Sequence, residues 1–247
     1  MLGALQGPAE LLPVSSSGHL ALVPRLLGWS YADLPADLRK TFEVALHAGS
    51  APALLIAARR GAAPAGLPML AVTLLPAALA GLAFERPVEE RLGGMRSVAL
   101  AQVLAGAALG IADRSPERRS EPDALDHIAV GLAQAAALVP GVSRSGAALT
   151  AGRLRGLSRP AAAALSLRAA LPVTVGAGAL KGARMLANPP PREIRVPIAV
   201  GFGAALVSAL GSLPLLGLLG RRRHFVSGLA CYRILLGAGA LAVWRKR

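Results

Sequence analysis

Residues 3–18 read GALQGPAELLPVSSSG, and residues 131–146 read GLAQAAALVPGVSRSG. The two stretches align without a gap at an offset of 128, with Gly3/Gly131, Gln6/Gln134, Ala9/Ala137, Val14/Val142, Ser15/Ser143, Ser17/Ser145 and Gly18/Gly146 identical. Most of these identities fall in a short polar knot that interrupts an apolar segment, 1–28 in the first copy and 126–155 in the second. A knot of this kind is poorly suited to crossing hydrocarbon, where irregular backbone survives only when packed in protein or lining a wet cavity.

Outward from the knots, the chain is apolar. It is 54% hydrophobic and 16% charged, with a mean hydropathy of +0.53, whereas a soluble domain carries about 25% charged residues. Six apolar runs, at 41–58, 67–85, 97–113, 161–185, 197–219 and 226–244, are long enough for membrane-crossing helices and end in charges such as Arg59-Arg60 and Arg221-Arg222-Arg223. Barrel strands are excluded by the absence of ten-residue in–out alternation. Three runs follow each knot. If each knotted segment enters and leaves on one side, the second half lies upside down relative to the first, which is the pattern of an inverted repeat with its site at the broken helices. The expected fold is therefore all-α and integral to the membrane. A single domain (1–247) divides into an inverted-topology repeat of 1–125 and 126–247, with six transmembrane helices and two re-entrant helical hairpins, 1–28 and 126–155. Two ordinary kinked spans are the plainer alternative.

The net charge of +14 does not indicate nucleic acid, because the basic residues mark span ends rather than one face. The proposed topology puts Arg25, Arg39, Lys40, Arg86, Arg91, Arg96, Arg184, Arg192, Arg195 and the basic residues of 245–247 on one side. Arg59, Arg60, Arg114, Arg118, Arg119, Arg153, Arg155, Arg159 and Arg221 to Arg223 fall on the other. So even a division gives the positive-inside rule nothing to act on. Cys231 is the only cysteine, so no intrachain disulfide is expected. The first residues lack a basic segment, and no cleavable leader is expected.

Ionisable and polar side chains at membrane depth are costly, so each is a candidate for function. The first knot supplies Glu10, Ser15, Ser16, Ser17 and His19, with Gln6 one helical turn before Glu10. The second supplies Ser143, Arg144 and Ser145 ahead of Gly146, and the repeat sets Arg144 opposite Ser16. A guanidinium presents a planar fork of donors to phosphate oxygens. Serine hydroxyls and amides at a helix start add neutral donors. A histidine near a serine can serve as its base or as an acid for the leaving group. A carboxylate beside phosphates makes best sense as the ligand of a divalent cation. Each residue also has a bland role, since serines cap helices and a lone histidine is usually a satisfied hydrogen-bonder.

Glu10-Leu-Leu-Pro-Val-Ser-Ser-Ser-Gly-His19 and Pro140-Gly-Val-Ser-Arg-Ser-Gly146 together resemble the undecaprenyl-diphosphate phosphatase family associated with bacitracin resistance. The likeness extends to Lys40-Thr-Phe-Glu-Val-Ala-Leu-His-Ala-Gly-Ser50, Gly156-Leu-Ser-Arg159 and Tyr232-Arg233. The resemblance implies hydrolysis of the terminal phosphate of a C55 polyprenyl diphosphate in the bacterial cytoplasmic (inner) membrane. That reaction regenerates the lipid carrier for peptidoglycan synthesis and resists bacitracin. It implies dependence on Mg²⁺ or Ca²⁺, with Glu10 as metal ligand and Gln6 at a position that holds Glu or Gln. Ser16 matches the proposed nucleophile, with a metal-bound water as the alternative attacking group, His19 matches the essential histidine, and Ser143, Arg144 and Ser145 the phosphate-binding motif; Ser15, Ser17 and Gly146 join Gln6 in substrate binding. The expected partners are the lipid and the membrane, with a homodimer as the one protein partner considered.

Three departures stand out. Ala148 replaces the family's threonine, with Thr150 two residues on; Leu165-Ser-Leu-Arg-Ala169 carries an unexpected Arg168; and the chain starts a helical turn or two late. A flippase or anion transporter sharing the architecture is the alternative function. The other lipid-phosphatase family that uses Ser-Gly-His is set aside, because its Lys…Arg-Pro motif is missing and no His follows Ser143-Arg144 at the required distance.

Overall fold

The computed structural model describes residues 1–60, 66–187, 189–222 and 224–244. Arg223 and the basic residues of 245–247, assigned to opposite sides above, lie outside them. Ten α-helices occur among the described residues: α1 (Leu2–Leu11), α2 (Ser16–Leu26), α3 (Ala36–Arg60), α4 (Leu67–Leu92), α5 (Met95–Asp113), α6 (Ala124–Ala136), α7 (Arg144–Leu154), α8 (Arg159–Ala187), α9 (Arg192–Arg221) and α10 (Phe225–Trp244). A 3₁₀ turn at Ser30–Asp33 links α2 to α3.

The six long helices coincide with the six apolar runs. Four of them, within α4, α5, α9 and α10, are long and apolar enough to cross a membrane. The chain is thus a multi-pass membrane protein. α3 and α8 have the length, at 25 and 29 residues, but include Asp37, Arg39, Lys40 and Glu43 in one and Arg159 and Arg168 in the other, which lowers their hydropathy. Leu82 on α4, Leu104 on α5, Val207 on α9 and Leu235 on α10 are all exposed, an arrangement that hydrocarbon favours and water does not.

The knotted segments are pairs of short helices. α1 and α2 have 10 and 11 residues, about 15 Å each at 1.5 Å per residue, half the thickness of a hydrocarbon core. In the second pair, Asp126 at the start of α6 meets Arg155 just after α7, with Arg155 Nε donating to Asp126 Oδ1 over 3.0 Å. In the first, Leu2 at the start of α1 shares an apolar cluster with Trp29 and Tyr31, which follow α2. Each pair therefore returns toward its starting point. The tips meet instead in the interior, where the Ser145 hydroxyl donates to Leu12 O at 3.5 Å.

Packing between the halves is crossed. α1 lies on α9 and α6 lies on α4, while α5 and α10 pair with each other. Glycine allows the closest approaches. A Cβ on Gly3 would collide with Gly201 O and with Ala204 Cβ at 2.6 Å, and one on Gly131 with Thr73 O at 2.9 Å and Pro76 at 3.1 Å. The partner positions 73 and 76 also map onto 201 and 204 at the offset of 128. Small residues at helix crossings are what membrane packing requires, since it gains nothing from hydrophobic transfer between helices.

Candidate active site

Each knot ends in a serine forced into left-handed backbone, Ser15 at φ 72° and Ser143 at φ 74°. An L-residue held there costs roughly 1–3 kcal/mol unless its surroundings determine it. Here the return is a helix start. Ser15 Oγ accepts from Gly18 N at 3.2 Å and Ser143 Oγ from Gly146 N at 3.1 Å. The same hydroxyls lie 3.2 Å and 3.3 Å from Ser17 Oγ and Ser145 Oγ. The two knots thus share one backbone and one hydrogen-bond scheme, and they aim the N-termini of α2 and α7 into one space.

What holds the knots together is Arg233, fully buried on α10. It donates to Pro13 O (3.0 Å) in the first knot and to Gly141 O (2.9 Å) and Val142 O (2.8 Å) in the second. It also donates to Gln102 Oε1 (2.9 Å), and Gln102 Nε2 in turn donates to Val14 O (2.9 Å). Ser166 on α8 adds a bond to Ser145 O at 2.8 Å. The guanidinium has four carbonyl-type acceptors and, among the described residues, no carboxylate partner, so its role is to brace.

Between the halves lies a cavity of about 740 Å³. Glu10, Ser15, Ser16, Ser17, Ser143, Arg144 and Ser145 line it, together with apolar Val44, Leu54, Leu138 and Val173 and the outer charges Arg39, Lys40 and Glu89. Seven of the ten residues singled out from the sequence are therefore brought together. Of the remaining three, Gly146 sits in the first turn of α7, Gln6 lies just behind Glu10, and His19 faces away. His19 Nδ1 lies 2.7 Å from Ser15 O, its Nε2 shares a 2.7 Å hydrogen bond with Tyr232 Oη, and the two rings stack at 5.5 Å. The Ser16 hydroxyl interacts instead with the Glu10 carboxylate. Neither substitute for the missing threonine helps: Ala148 is buried in the core beside Leu109 and Leu149, and Thr150 Oγ1 donates to Gly146 O of its own helix at 2.8 Å.

Glu10 is the electrostatic centre. Its Oε1 lies 3.8 Å from Arg144 Nη2, and its Oε2 lies 2.9 Å from His47 Nδ1 and accepts from Gln6 Nε2 at 3.1 Å. Gln6 is fully buried, and among the described residues its Oε1 has no partner. An ionised carboxylate beside an orphaned buried amide oxygen suits an oxygen-seeking divalent cation, so the residues fit the metal that the sequence led us to expect. Three further contributors were not singled out from the sequence. His47 and Tyr232 stood in stretches that carried the family likeness but had no role assigned; their contacts with Glu10 and His19 come from tertiary placement. Gln134 was visible as the repeat partner of Gln6; it lines the cavity with both side-chain polar atoms unpartnered.

Fold and site define a class: a multi-pass helical membrane protein whose interior cavity sets a guanidinium, two helix starts and a carboxylate side by side. Over residues 1–239 the chain matches the family described as Bacitracin resistance protein BacA. It is 37% identical, over 98% of its own length and 96% of the relative, to an undecaprenyl-diphosphatase of Geobacter sulfurreducens. It is 36% identical to those of Trichlorobacter lovleyi (98% and 95% covered) and Moorella thermoacetica (100% and 97% covered). The chain belongs to the BacA family.

Proposed function

We propose that this protein is an undecaprenyl-diphosphate phosphatase of the bacterial cytoplasmic membrane. It removes the terminal phosphate of a C55 polyprenyl diphosphate, and so returns the monophosphate carrier to peptidoglycan synthesis and confers resistance to bacitracin. The observation that carries this reading is the convergence of Arg144, the serine knots and Glu10 in one cavity that is also walled by Val44, Leu54 and Val173. That is the mixed lining a diphosphate on a hydrocarbon tail requires. A flippase is not favoured, because family and relatives point to hydrolysis.

The architecture we propose is an inverted repeat of six spans and two re-entrant hairpins. Its supports are the shared knot geometry, the returning ends of each short helix pair and the matched crossings of α1 on α9 and α6 on α4. Side contacts agree with the expected division of charge. Lys40 pairs with Glu89 at 2.7 Å, and Arg96 lies over the Trp244 ring at 5.2 Å. In the other group Arg119 and Arg155 pair with Asp126, while Arg159 pairs with Asp113 at 2.7 Å.

In the mechanism, Arg144 and the first-turn amides of α2 and α7 bind the terminal phosphate and stabilise the charge that develops on its oxygens. Glu10 and Gln6 would hold the divalent cation, Mg²⁺ or Ca²⁺, which when bound neutralises diphosphate charge. The Ser16 oxygen attacks the terminal phosphorus as its proton leaves to a base. The bridging P–O bond breaks, and the lipid monophosphate departs with a proton. Water then hydrolyses the phosphoserine, freeing phosphate and restoring Ser16. We assign the base to His19, whose Nε2 must leave Tyr232 to reach Ser16.

Phosphate release by the purified protein from a polyprenyl diphosphate, with and without chelator, tests the reading. Arg144→Ala should nearly abolish turnover in a folded protein, and Arg144→Lys should also be poor, because an ammonium lacks the planar fork. Ser16→Ala should lose most activity, and quenched intact-mass analysis should find phosphate on the wild-type chain. Absence of release from wild type refutes the function. Substantial turnover by Ser16→Ala ends the nucleophile assignment alone.

A further inference from the structure

Three atoms at the corner of the site form a nearly equilateral triangle. Gln6 Nε2 is 3.1 Å from Glu10 Oε2 and 3.0 Å from His47 Nδ1, and the latter two are 2.9 Å apart. Every edge has hydrogen-bond length, yet protons cannot satisfy all three. If Nδ1 is bare and accepts from the Gln6 amide, its lone pair faces an ionised carboxylate oxygen. If Nδ1 carries a proton toward Glu10, that proton confronts the amide hydrogens. Turning the amide over, so that its oxygen takes the corner, cures the second conflict but sets two oxygens against each other. With Glu10 ionised, each arrangement leaves one edge repulsive.

A cation resolves all three edges together, because a bare Nδ1, the carboxylate oxygen and the amide oxygen would then all direct lone pairs at it. Gln6 is fully buried, and no bond to its Oε1 opposes turning the amide.

We propose that His47 is the third ligand of the divalent-cation site. Glu10 Oε2, the Gln6 amide oxygen and His47 Nδ1 would hold the divalent ion between them. This rests on the reading that Glu10 binds a cation. Among the described residues no three His, Cys, Asp or Glu side chains gather for a metal, and here the third corner is an amide. The site belongs to one half only, since positions 138 and 175, the repeat partners of Glu10 and His47, hold Leu and Val.

The test is Mn²⁺ binding to purified protein without lipid substrate, followed by electron paramagnetic resonance, with pulsed detection of ¹⁴N bonded to the metal. Wild type should bind Mn²⁺ with a directly bonded nitrogen. His47→Gln should lose that nitrogen and bind about tenfold more weakly or worse; tenfold corresponds to about 1.4 kcal/mol. His47→Glu, which restores a charged oxygen ligand, should recover affinity but show no nitrogen, which separates coordination from misfolding. A nitrogen signal absent from wild type, or persisting in His47→Gln, overturns the His47 assignment. The Glu10 reading then still stands if Glu10→Gln abolishes binding. Wild type that binds no Mn²⁺ overturns both.

Discussion

At Ser15 and Ser143 two costs oppose one another. The left-handed backbone disfavours any side chain bearing a Cβ, while the hydroxyl that needs that Cβ caps the helix by accepting from Gly18 N or Gly146 N. Alanine keeps the strain and loses the cap; glycine loses both. A missing cap costs about 1 kcal/mol with alanine and only a few tenths with glycine, and glycine adopts positive φ freely. Ser15→Ala and Ser143→Ala should therefore lower the melting temperature in detergent more than the glycine variants do. The reverse order would show that the positive-φ backbone is not a source of strain at these positions. The serines were legible in the sequence as cap or anion donors, because both roles depend on a helix start after a Gly/Pro break. The strain was not, since nothing in a Ser-Ser or Ser-Arg pair announces positive φ. His47 escaped for a different reason. It stands 41 residues from Gln6 on a helix of its own, and the stretch 40–50 that holds it signalled family likeness without pointing to a ligand.

Among the elements, the long helices were readable because a lipid-crossing segment must satisfy its backbone internally and leave its side chains apolar. The apolar runs underestimated their starts where polar turns extend them: α3 begins at Ala36, ahead of Asp37, Arg39 and Lys40. α10 hid the role of a residue that the Tyr232-Arg233 likeness had already marked. Arg233 sits amid Leu and Ala, and its buried bonds to Pro13, Gly141 and Val142 come from loops more than ninety residues away in sequence. Each buried acceptor stripped of its donor costs about 1–3 kcal/mol. Arg233→Leu should thus destabilise the protein by several kcal/mol and uncouple the two knots. Arg233→Lys, with three donors in place of five, should fall between it and wild type. The check is thermal unfolding in detergent alongside phosphate release. An Arg233→Leu protein as stable as wild type would remove the brace.

For the molecule as a whole, the repeat was the most legible feature, since sixteen aligned residues predicted where two distant tips would meet. What the alignment could not supply was the sign of the crossing, because helices packed in parallel and inverted halves share one pattern of polarity. Labelling decides it. In a Cys231→Ser background, cysteines placed singly at Gly94 and Arg222, equivalent positions at the offset of 128, should react with an impermeant maleimide from opposite sides of sealed vesicles. Both are exposed and lie between helices. Reaction of both from the same side would defeat the inverted arrangement.

The two arms that close on the cavity are built alike and equipped differently. Where one carries Glu10 the other has Leu138, and where one carries Ser16 the other has Arg144. A headgroup lying between two equal arms would have no reason to prefer left over right, and half of all encounters would be unproductive. With acid and cation seat confined to one arm and the guanidinium to the other, the cradle acquires a polarity, and the diphosphate has one way in which to lie. Divergence between copies has turned a symmetric clasp into a handed one.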